Sequence, residues 1–402
     1  MGKPLAGINV VEVAMWAFVP AAGAILSDMG ASVIKVEPPT GDPIRGLQTG
    51  IAAAAAVDYS WESYNRGKRS ITLDLKQPAG TEVLSRLLAD ADVFLTSLLP
   101  PARKAMGIDA ETLRARFPDL IYASGTALGP QGAEADKGGY DAITFWSRGG
   151  ISSAMTDPDA ATPVAPPGPA FGDVLSGSML AGGICAAIAK RALGGEASTV
   201  DVSLLGAAMW SMQRLVAQAT DQGVETFAKP PAGRPNNVLS STYRTSDGRF
   251  VALCMLQADR YWSRLCEVGG RTDLAVDPRF ADSAARRANV EACVAELDAM
   301  FASRTLAEWR EALAQQGGQW DVVQHVGELA VDPQVVANRY MQPVSTTAGR
   351  AIGLVSVPIQ FDGESLVPGA APDLGADSDA ILADLGYDED ATIDLKVAGV
   401  VY

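Results

Sequence analysis

The chain has 402 residues, of which 48% are hydrophobic and 20% are charged, and its formal net charge is −15. These proportions are typical of a globular protein with a large core, and the length allows two domains or one large domain with an insertion. The excess of acidic residues argues against a nucleic-acid partner, because phosphate binding needs a basic surface.

The first third of the chain alternates strand and helix signals. Apolar runs predict strands at 8–13, 32–37, 70–75, 92–98 and 119–125. Helices are predicted between them, at 18–29, 78–90 and 109–116. This alternation with short loops predicts an α/β fold, in which a parallel sheet is covered on both faces. Ligands of such folds bind beyond the carboxyl ends of the strands.

The rest of the chain mixes helices with short strands. Residues 173–216 are predicted to be mainly helical, and residues 217–240 are predicted to form loops. The Asp-Gly pair at 247–248 predicts the turn of a β-hairpin. Together with the amphipathic helices that follow, it indicates a smaller α+β domain over 225–325. The chain then returns to strands and loops, and a helix is predicted near 378–385.

Several kinds of active site are excluded by what the chain lacks. His325 is the only histidine, so no multi-histidine metal site can form. The sequence has no G-x-S-x-G elbow, no P-loop and no G-x-G-x-x-G after a strand. Four cysteines lack metal-ligand spacing and are predicted to be reduced core thiols: Cys185, Cys254, Cys266 and Cys293. We therefore expect no metal, and a carboxylate becomes the candidate for the chemistry.

The opening segment MGKPLAGINVVEV goes directly into a strand-like run and has no signal-peptide pattern. The apolar stretch at 174–189 is shorter than the ~20 residues that a bilayer needs, and it is rich in small residues. We expect a buried helix there and no membrane contact. With reduced cysteines, these features predict a cytoplasmic protein.

Asp173 stands at the head of the segment GPAFGDVLSGSMLAGGICAAIAKR, which contains no other acid. A helix N-cap is one interpretation, because aspartate accepts backbone N–H bonds at helix starts. A helix N-terminus also stabilises negative charge, so Asp173 is expected to be ionised at neutral pH. Four glycines are expected to leave room for a close approach to this helix: Gly172, Gly177, Gly182 and Gly183.

Segments spread over the whole chain together resemble one family. They are PLAGINVVEV, LSDMGASVIKVEPPTGDPIR, NRGKRSITLDLK, ADVFLTSLLPPARKAMGI, GGYDAITFWSRGG, FGDVLSGSMLAGGICAAI, VDVSLL, YRTSDGRFVAL and APDLGADSDAIL. In order and spacing they resemble the class III coenzyme A transferases, which include formyl-CoA, carnitine/crotonobetaine, bile-acid and phenyllactate CoA-transferases. The α-methylacyl-CoA racemases are close relatives of that family.

The resemblance implies a Rossmann-like large domain formed by both chain ends, 1–216 and 330–402, with the smaller domain inserted at 225–325. It also implies an interlocked homodimer, in which each chain threads through a ring made by the other. No cofactor is implied beyond coenzyme A or acyl-CoA as substrate, and the acceptor is a carboxylic acid.

By the same resemblance, Asp173 carries the covalent chemistry. Its carboxylate attacks the thioester carbonyl of an acyl-CoA, which gives a mixed anhydride and a CoA thiolate. The thiolate then attacks the aspartyl carbonyl, and the first acid leaves. An acceptor carboxylate reverses these steps. Backbone N–H groups near the helix start are expected to stabilise the oxyanion, and Tyr140 is expected to orient the reacting groups.

Two alternative functions remain open. Racemases of this kind need two bases beside the α-carbon, yet Tyr140 and Gln257 stand where their histidine and glutamate fall. Tyrosine and glutamine side chains are poor bases near neutral pH. The other alternative is a catalytically silent CoA-binding relative, because LGADSD near the C-terminus departs from the LGEHT of many relatives. The presence of Asp173 argues against it.

The resemblance also places the contacts with CoA. The expected residues are Trp16, Ala17, Leu73, Asp74, Leu75, Lys76, Ser97, Leu98, Arg103, Lys104 and Lys137. A cluster of six basic residues is expected to form an anion site at strand ends: Lys68, Arg69, Lys76, Arg103, Lys104 and Lys137. Pro38 and Ala105 stand where many relatives have arginines, which leaves the adenine contacts unassigned.

Phe145 and Trp146 follow Tyr140 closely, as a similar aromatic pair does in the bile-acid and phenyllactate branch. On the functional interpretation they favour a bulky or aromatic acceptor acid. On the structural interpretation they pack in the core, which is the commoner place for two aromatic residues on a helix.

Overall fold

The computed structural model describes residues 2–47, 57–157, 159–227 and 235–402. The alanine run at 52–56, for which the sequence indicates helix or loop, lies outside these ranges, and so does the part of the predicted 217–240 loop at 228–234. The chain divides into two compact units. One comprises Met1–Thr226 and Pro333–Tyr402, and the other comprises Phe227–Asp332.

A six-stranded parallel sheet forms the centre of the first unit. Its strands are β1 (Asn9–Val13), β2 (Ser32–Glu37), β3 (Arg69–Thr72), β4 (Val93–Thr96), β5 (Ile121–Thr126) and β6 (Thr199–Ser203). Their order is β3-β2-β1-β4-β5-β6, and each pair is parallel. This is the order of doubly wound nucleotide-binding folds, so the predicted Rossmann-like sheet is confirmed.

Helices cover both faces of this sheet. They are α1 (Phe18–Asp28), α2 (Tyr59–Asn65), α3 (Pro78–Ala89), α4 (Pro100–Ala105), α5 (Ala110–Arg116), a π-helix (Ala142–Arg148), α6 (Ile151–Met155), α7 (Phe171–Ala192), α8 (Leu204–Ser211) and α9 (Gln213–Gln222). The structure confirms the predicted α1, α3 and α5. Proline at the first helical position starts α3 and α4, since it needs no N–H partner there. The short α2 and α4 show no helical period that would predict them.

The helix α7 packs its inner face on α1. Leu180, Ala181 and Ile184 of that face are at most 2% exposed, whereas Phe171, Val174 and Leu175 on its outer side are exposed. The prediction of a buried helix therefore holds for one face only. Among the described residues α7 is the one helix long and apolar enough to cross a membrane, a test that core helices also pass.

The second unit contains a small antiparallel sheet, five α-helices and a 3₁₀ helix within its described residues. The elements are β7 (Thr242–Arg244), β8 (Phe250–Leu253), α10 (Ala258–Val268), α11 (Thr272–Val276), α12 (Ser283–Ala288), α13 (Val290–Phe301), α14 (Leu306–Leu313), β9 (Trp320–Val322) and a 3₁₀ helix (Val326–Val331). The predicted hairpin turn is confirmed, with Gly248 at φ +78°. Tyr243, Phe301 and Trp309 stack in its core. Cys254 is exposed, so it is not the predicted core thiol.

The C-terminal elements belong to the first unit. They are α15 (Pro333–Ala337), β10 (Met341–Ser345), β11 (Ala351–Val355), β12 (Gln360–Phe361), β13 (Glu364–Ser365), α16 (Ser378–Asp384) and α17 (Glu389–Val397). Ile381 and Leu382 of α16 are buried in the same apolar cluster as Ile71 of β3. The predicted helix near 378–385 is thus confirmed, and it covers one edge of the sheet.

Candidate active site

The candidate site lies where β1 and β4 end. Strand order reverses between these two strands, and ligands of open parallel sheets bind at such a point. Ser97, directly after β4, links the two strand ends: its Oγ accepts from the backbone N–H of Met15 at 2.9 Å and donates to the carbonyl of Met15 at 3.3 Å. The residues after Met15 then enter a cavity.

This cavity has a volume of about 450 Å³ and combines apolar walls with two carboxyl groups. Its lining residues are Trp16, Ala17, Ile44, Leu47, Ser60, Tyr64, Tyr140, Asp141, Ala142, Pro166, Gly168, Pro169, Ala170 and Asp173. Four residues assigned from the sequence therefore meet in one place: Trp16, Ala17, Tyr140 and Asp173. They come from the end of β1, the segment before the π-helix and the first turn of α7.

Asp173 is the third residue of α7, not its N-cap. The helix begins at Phe171, and the capping position is held by Ala170 in the left-handed region at φ +59°. Asp173 is half-buried. Among the described residues the structure gives its carboxyl no hydrogen-bond donor and no basic partner. The helix therefore positions the carboxyl at the cavity, and no basic side chain of the described residues balances its charge.

Asp141 occupies the backbone donors at the start of α7. Its Oδ1 accepts from the N–H of Gly172 at 3.1 Å, and the N–H of Phe171 also donates to this carboxyl. A Cβ at position 172 would lie 2.2 Å from Phe145 and 2.5 Å from Asp141, so only glycine permits this approach. The amides that were expected to stabilise an oxyanion are thus bonded to Asp141.

The carboxyl of Asp173 has an unusual affinity for protons. Burial, followed by the negative charge of Asp141, raises the pKa of Asp173 to about 7. The expected ionisation of Asp173 at neutral pH is therefore opposed by burial and by the charge of Asp141. Burial and the charges of Asp173 and Asp141 also raise the pKa of Tyr64 to about 12.

The pH dependence of a reaction that uses Asp173 as a nucleophile follows from this shift. Only the carboxylate can attack, so the rate should fall as pH decreases through about 7. Replacing Asp141 by asparagine removes the neighbouring charge, and we expect the midpoint to move to lower pH by roughly half a unit to one unit. A pH profile of kcat/KM for both proteins measures this, and identical midpoints would contradict the assignment.

The glycines of α7 serve the packing of the chain itself. A Cβ at Gly177 would lie 2.7 Å from the carbonyl of Phe18 in α1, and one at Gly183 would lie 2.8 Å from Val200. Only Gly182 has open space beside it. The room expected at Gly172, Gly177 and Gly183 is therefore filled by other segments of the first unit.

A second, smaller cavity of about 130 Å³ lies at the ends of β1 to β4. It is lined by Leu73, Asp74, Leu75, Lys76 and Leu98, five of the residues expected to bind CoA, together with Val13, Ala14, Met15, Val36, Glu37, Pro38 and Met106. Met15 lines this cavity and Trp16 lines the larger one, so the two cavities flank one short segment. Pro38 contributes an apolar wall to this cavity.

The structure does not gather the basic residues into the expected anion site. Lys68 is fully buried, and its Nζ donates to the two carboxyl oxygens of Glu12 at 2.8 and 3.0 Å and to two further acceptors. Arg69 is at the start of β3 and pairs with Asp384 at 3.0 Å. Lys137 pairs with Glu134 at 2.9 Å on the surface. All three residues are thus paired with acids: the partners of Lys68 and Arg69 are distant in the sequence, whereas Glu134 lies three residues before Lys137.

Arg103 and Lys104 lie on α4 and differ from one another. Arg103 is buried, its Nη1 donates to the hydroxyl of Tyr122 at 3.3 Å, and its Nε has no partner among the described residues. Lys104 is exposed, as is Lys76. Lys76 alone of these three lines the smaller cavity.

Phe145 and Trp146 belong to the core. They are 0% and 4% exposed, and the Nε1 of Trp146 donates to the carbonyl of Val164 at 2.7 Å. The structural interpretation of this pair is therefore correct, and the pair does not line the cavity. Aromatic surface comes instead from Trp16, Tyr64 and Tyr140. Trp16 and Tyr140 pack edge-on, with ring centroids 5.4 Å apart.

Sequence reasoning missed three residues of the site: Asp141, Tyr64 and Asp42. Asp141 was adjacent to the recognised Tyr140, and an acid at the end of a loop was the available signal. Nothing in the sequence around Tyr64 indicates that it reaches the cavity. Asp42 holds the backbone of Trp16, a contact across 26 residues that no local pattern could predict.

An open parallel sheet with a cavity at its switch point is typical of ligand-binding α/β folds, and a carboxyl with a raised pKa in that cavity marks a candidate active site. Comparison with known proteins identifies the family of this chain. It belongs to CoA-transferase family III, whose family model matches residues 5–378.

Relatives of known activity and a solved structure match almost the whole chain. It is 31% identical to (R)-2-hydroxy-4-methylpentanoate CoA-transferase of Clostridioides difficile, over 99% of both chains. It is 30% identical to cinnamoyl-CoA:phenyllactate CoA-transferase of Clostridium sporogenes, over 97% of this chain and 95% of that one. A CaiB/BaiF family protein from Brucella suis has a similar structure, with a TM-score of 0.83 and 29% identity over 96% of this chain and 100% of that one.

Proposed function

We propose that the protein transfers CoA from an acyl-CoA donor to a carboxylic acid through a thioester on Asp173. The Asp173 carboxylate attacks the donor carbonyl and expels the CoA thiolate, which leaves an acyl-aspartyl anhydride. The thiolate attacks the aspartyl carbonyl of this anhydride, forms aspartyl-CoA and releases the donor acid. The acceptor carboxylate then attacks aspartyl-CoA, which releases the CoA thiolate and forms a second anhydride between the acceptor and Asp173. The thiolate attacks the acceptor's carbonyl in this anhydride, which gives the new acyl-CoA and regenerates the Asp173 carboxylate.

One observation carries this proposal: the only carboxyl of the first turn of α7 faces a cavity at the switch point, where burial and the charge of Asp141 raise its pKa. A carboxylate with a raised pKa is, when ionised, a better nucleophile than an ordinary aspartate. The charge of Asp141 makes the ionised form less stable, so converting Asp173 into a neutral anhydride or thioester relieves repulsion.

The lining of the cavity favours acids with an apolar body. Trp16, Ile44, Leu47 and Tyr64 supply apolar surface, and the hydroxyls of Ser60 and the two tyrosines supply polar contacts. The two relatives named above act on a branched hydroxy acid and on phenyllactate. We propose that the acceptor belongs to the same class, a bulky or aromatic carboxylic acid. The small inserted domain, the interlocked homodimer and the cytoplasmic location stay predictions.

Isotope exchange tests the proposed function. The protein is incubated with isocaproyl-CoA or cinnamoyl-CoA and a panel of labelled acids: 4-methyl-2-hydroxypentanoate, phenyllactate, succinate and oxalate. Label should enter acyl-CoA from the first two acids faster than from the last two. Running the reaction in D₂O with 2-methylacyl-CoA and no acceptor tests the racemase alternative. Deuterium at the α-carbon in this reaction, together with no label in acyl-CoA in the exchange reaction, would overturn the proposal.

Tyr140 should contribute to orientation rather than to bond making. Its ring packs on Trp16, and its side chain is 56% exposed at the cavity. The variant Tyr140→Phe keeps the ring, so we expect kcat to fall by less than about tenfold, with most of the loss in KM for the acceptor. Steady-state kinetics with Tyr140→Ala as the comparison measures this, and a loss as large as that of an Asp173 variant would show that the hydroxyl takes part in the chemistry.

A further inference from the structure

A chain of buried charges runs from the sheet to the backbone of Trp16. Lys35 of β2 is fully buried and lies 3.1 Å from Glu12 and 2.9 Å from Asp42. Asp42 is 2% exposed. Its Oδ1 accepts hydrogen bonds from the backbone N–H of Trp16 at 3.1 Å and of Ile44 at 3.0 Å. Both residues held by Asp42 line the cavity that contains Asp173.

Trp16 has a backbone conformation that a residue with a Cβ rarely adopts. Its φ is +69°, in the left-handed region, where the side chain approaches the following carbonyl. Such strain persists only where the surroundings hold it, and it concentrates at functional sites. Here it presents the indole ring to the edge of Tyr140 at the cavity. Without the bond to Asp42, the peptide before Trp16 would be free to relax.

The acceptor side of this bond is itself fixed. The backbone N–H of Asp42 donates to Oε2 of Glu37 at 3.1 Å, and Arg45 binds both oxygens of Glu37 at 2.7 and 2.8 Å. Lys35 also donates to the carbonyl of Ala14 at 2.8 Å, two residues before Trp16. The loop after β2 and the loop after β1 are therefore held together by charged groups, of which Lys35, Glu37 and Asp42 are buried.

We infer that Asp42, anchored by Lys35, is a positioning residue that holds Trp16 in its left-handed conformation and so shapes the wall of the cavity beside Asp173. The inference rests on the proposed function, because the acyl-CoA is expected to contact Trp16 there. Asp42 touches no substrate itself, and its effect on catalysis passes through Trp16.

A double-mutant cycle tests whether the effect passes through Trp16. The variants are Asp42→Asn, Asp42→Ala, Trp16→Gly and the two double variants. Asparagine keeps an oxygen for the Trp16 amide, so kcat/KM for acyl-CoA should fall about threefold in Asp42→Asn and about 30-fold in Asp42→Ala. Glycine adopts positive φ freely and has no ring to position. In the Trp16→Gly background, the Asp42 substitutions should therefore lower kcat/KM for acyl-CoA by a further factor of less than about two.

An equal loss in both backgrounds would overturn the inference, because Asp42 would then act on the fold in general. The variant Glu364→Gln, which removes an exposed charge paired with Arg339, is the control and should leave kcat/KM unchanged. If Asp42→Ala does not fold, the asparagine cycle decides in the same way. If the wild-type protein transfers no CoA, the proposed function fails, and the same cycle is measured in the Kd for CoA by calorimetric titration.

Discussion

Replacing Asp173 by alanine should lower the rate of CoA transfer by at least about 10³-fold, because no other group can form the covalent intermediate. Among the lining residues the other carboxyl is Asp141, and its Oδ1 is held by the N–H of Gly172. Binding of CoA should survive, since the smaller cavity does not include Asp173. Exchange kinetics and calorimetric titration of CoA give both quantities.

The variant Asp173→Asn is the matched comparison. It keeps the size of the side chain and removes only the nucleophilic charge, so it should be as inactive as Asp173→Ala and should fold as well as the wild-type protein. Turnover above about 10% of the wild-type rate in either variant would show that the thioester mechanism is wrong.

The second large effect is expected on stability, from Glu12→Gln. Glu12 lies in β1, is 0% exposed and accepts hydrogen bonds from Lys35 at 3.1 Å and from Lys68 at 2.8 and 3.0 Å. Removing its charge leaves two buried ammonium groups with too little negative charge around them. We expect the free energy of unfolding to fall by about 3 kcal/mol, as for other buried pairs that lose one partner.

Urea denaturation at pH 7 measures this loss. The control is Asp384→Asn, which breaks the exposed pair with Arg69 and should cost no more than about 0.5 kcal/mol. Burial lowers the pKa of Lys68 to about 8, so Lys68 is the group of this cluster that we expect to lose its proton in the variant. A stability of Glu12→Gln within 1 kcal/mol of the wild-type value would contradict the role given to this cluster.

The sheet and its helices could be predicted because their signals are local. Runs such as INVVEV and SVIKVE are rich in valine and isoleucine, as is typical of strands buried on both faces. The same local view failed for Lys68. In NRGKRS it stands among polar residues and looks like a surface cation, yet it reaches Glu12, 56 residues away. Gly23 of α1 permits this, since a Cβ there would lie 2.0 Å from Oε2 of Glu12.

For the candidate site, too, local motifs could be recognised in the sequence, whereas properties that depend on distant contacts could not. Asp173 and Tyr140 were identified by the motifs around them, and the structure places both at one cavity. The protonation of Asp173 could not be predicted, because it depends on burial and on Asp141, which the fold brings to the start of α7. The helix start was also misjudged: Ala170, in the left-handed conformation, occupies the position given to Asp173.

The most direct test of the central claim is mass spectrometry of the protein after brief incubation with an acyl-CoA and no acceptor acid, followed by acid quench and digestion. The thioester mechanism predicts that the peptide carrying Asp173 gains the mass of CoA less one water, and that a carboxylic acid acceptor removes this mass. An adduct on another residue, or full turnover with the peptide never modified, would contradict it.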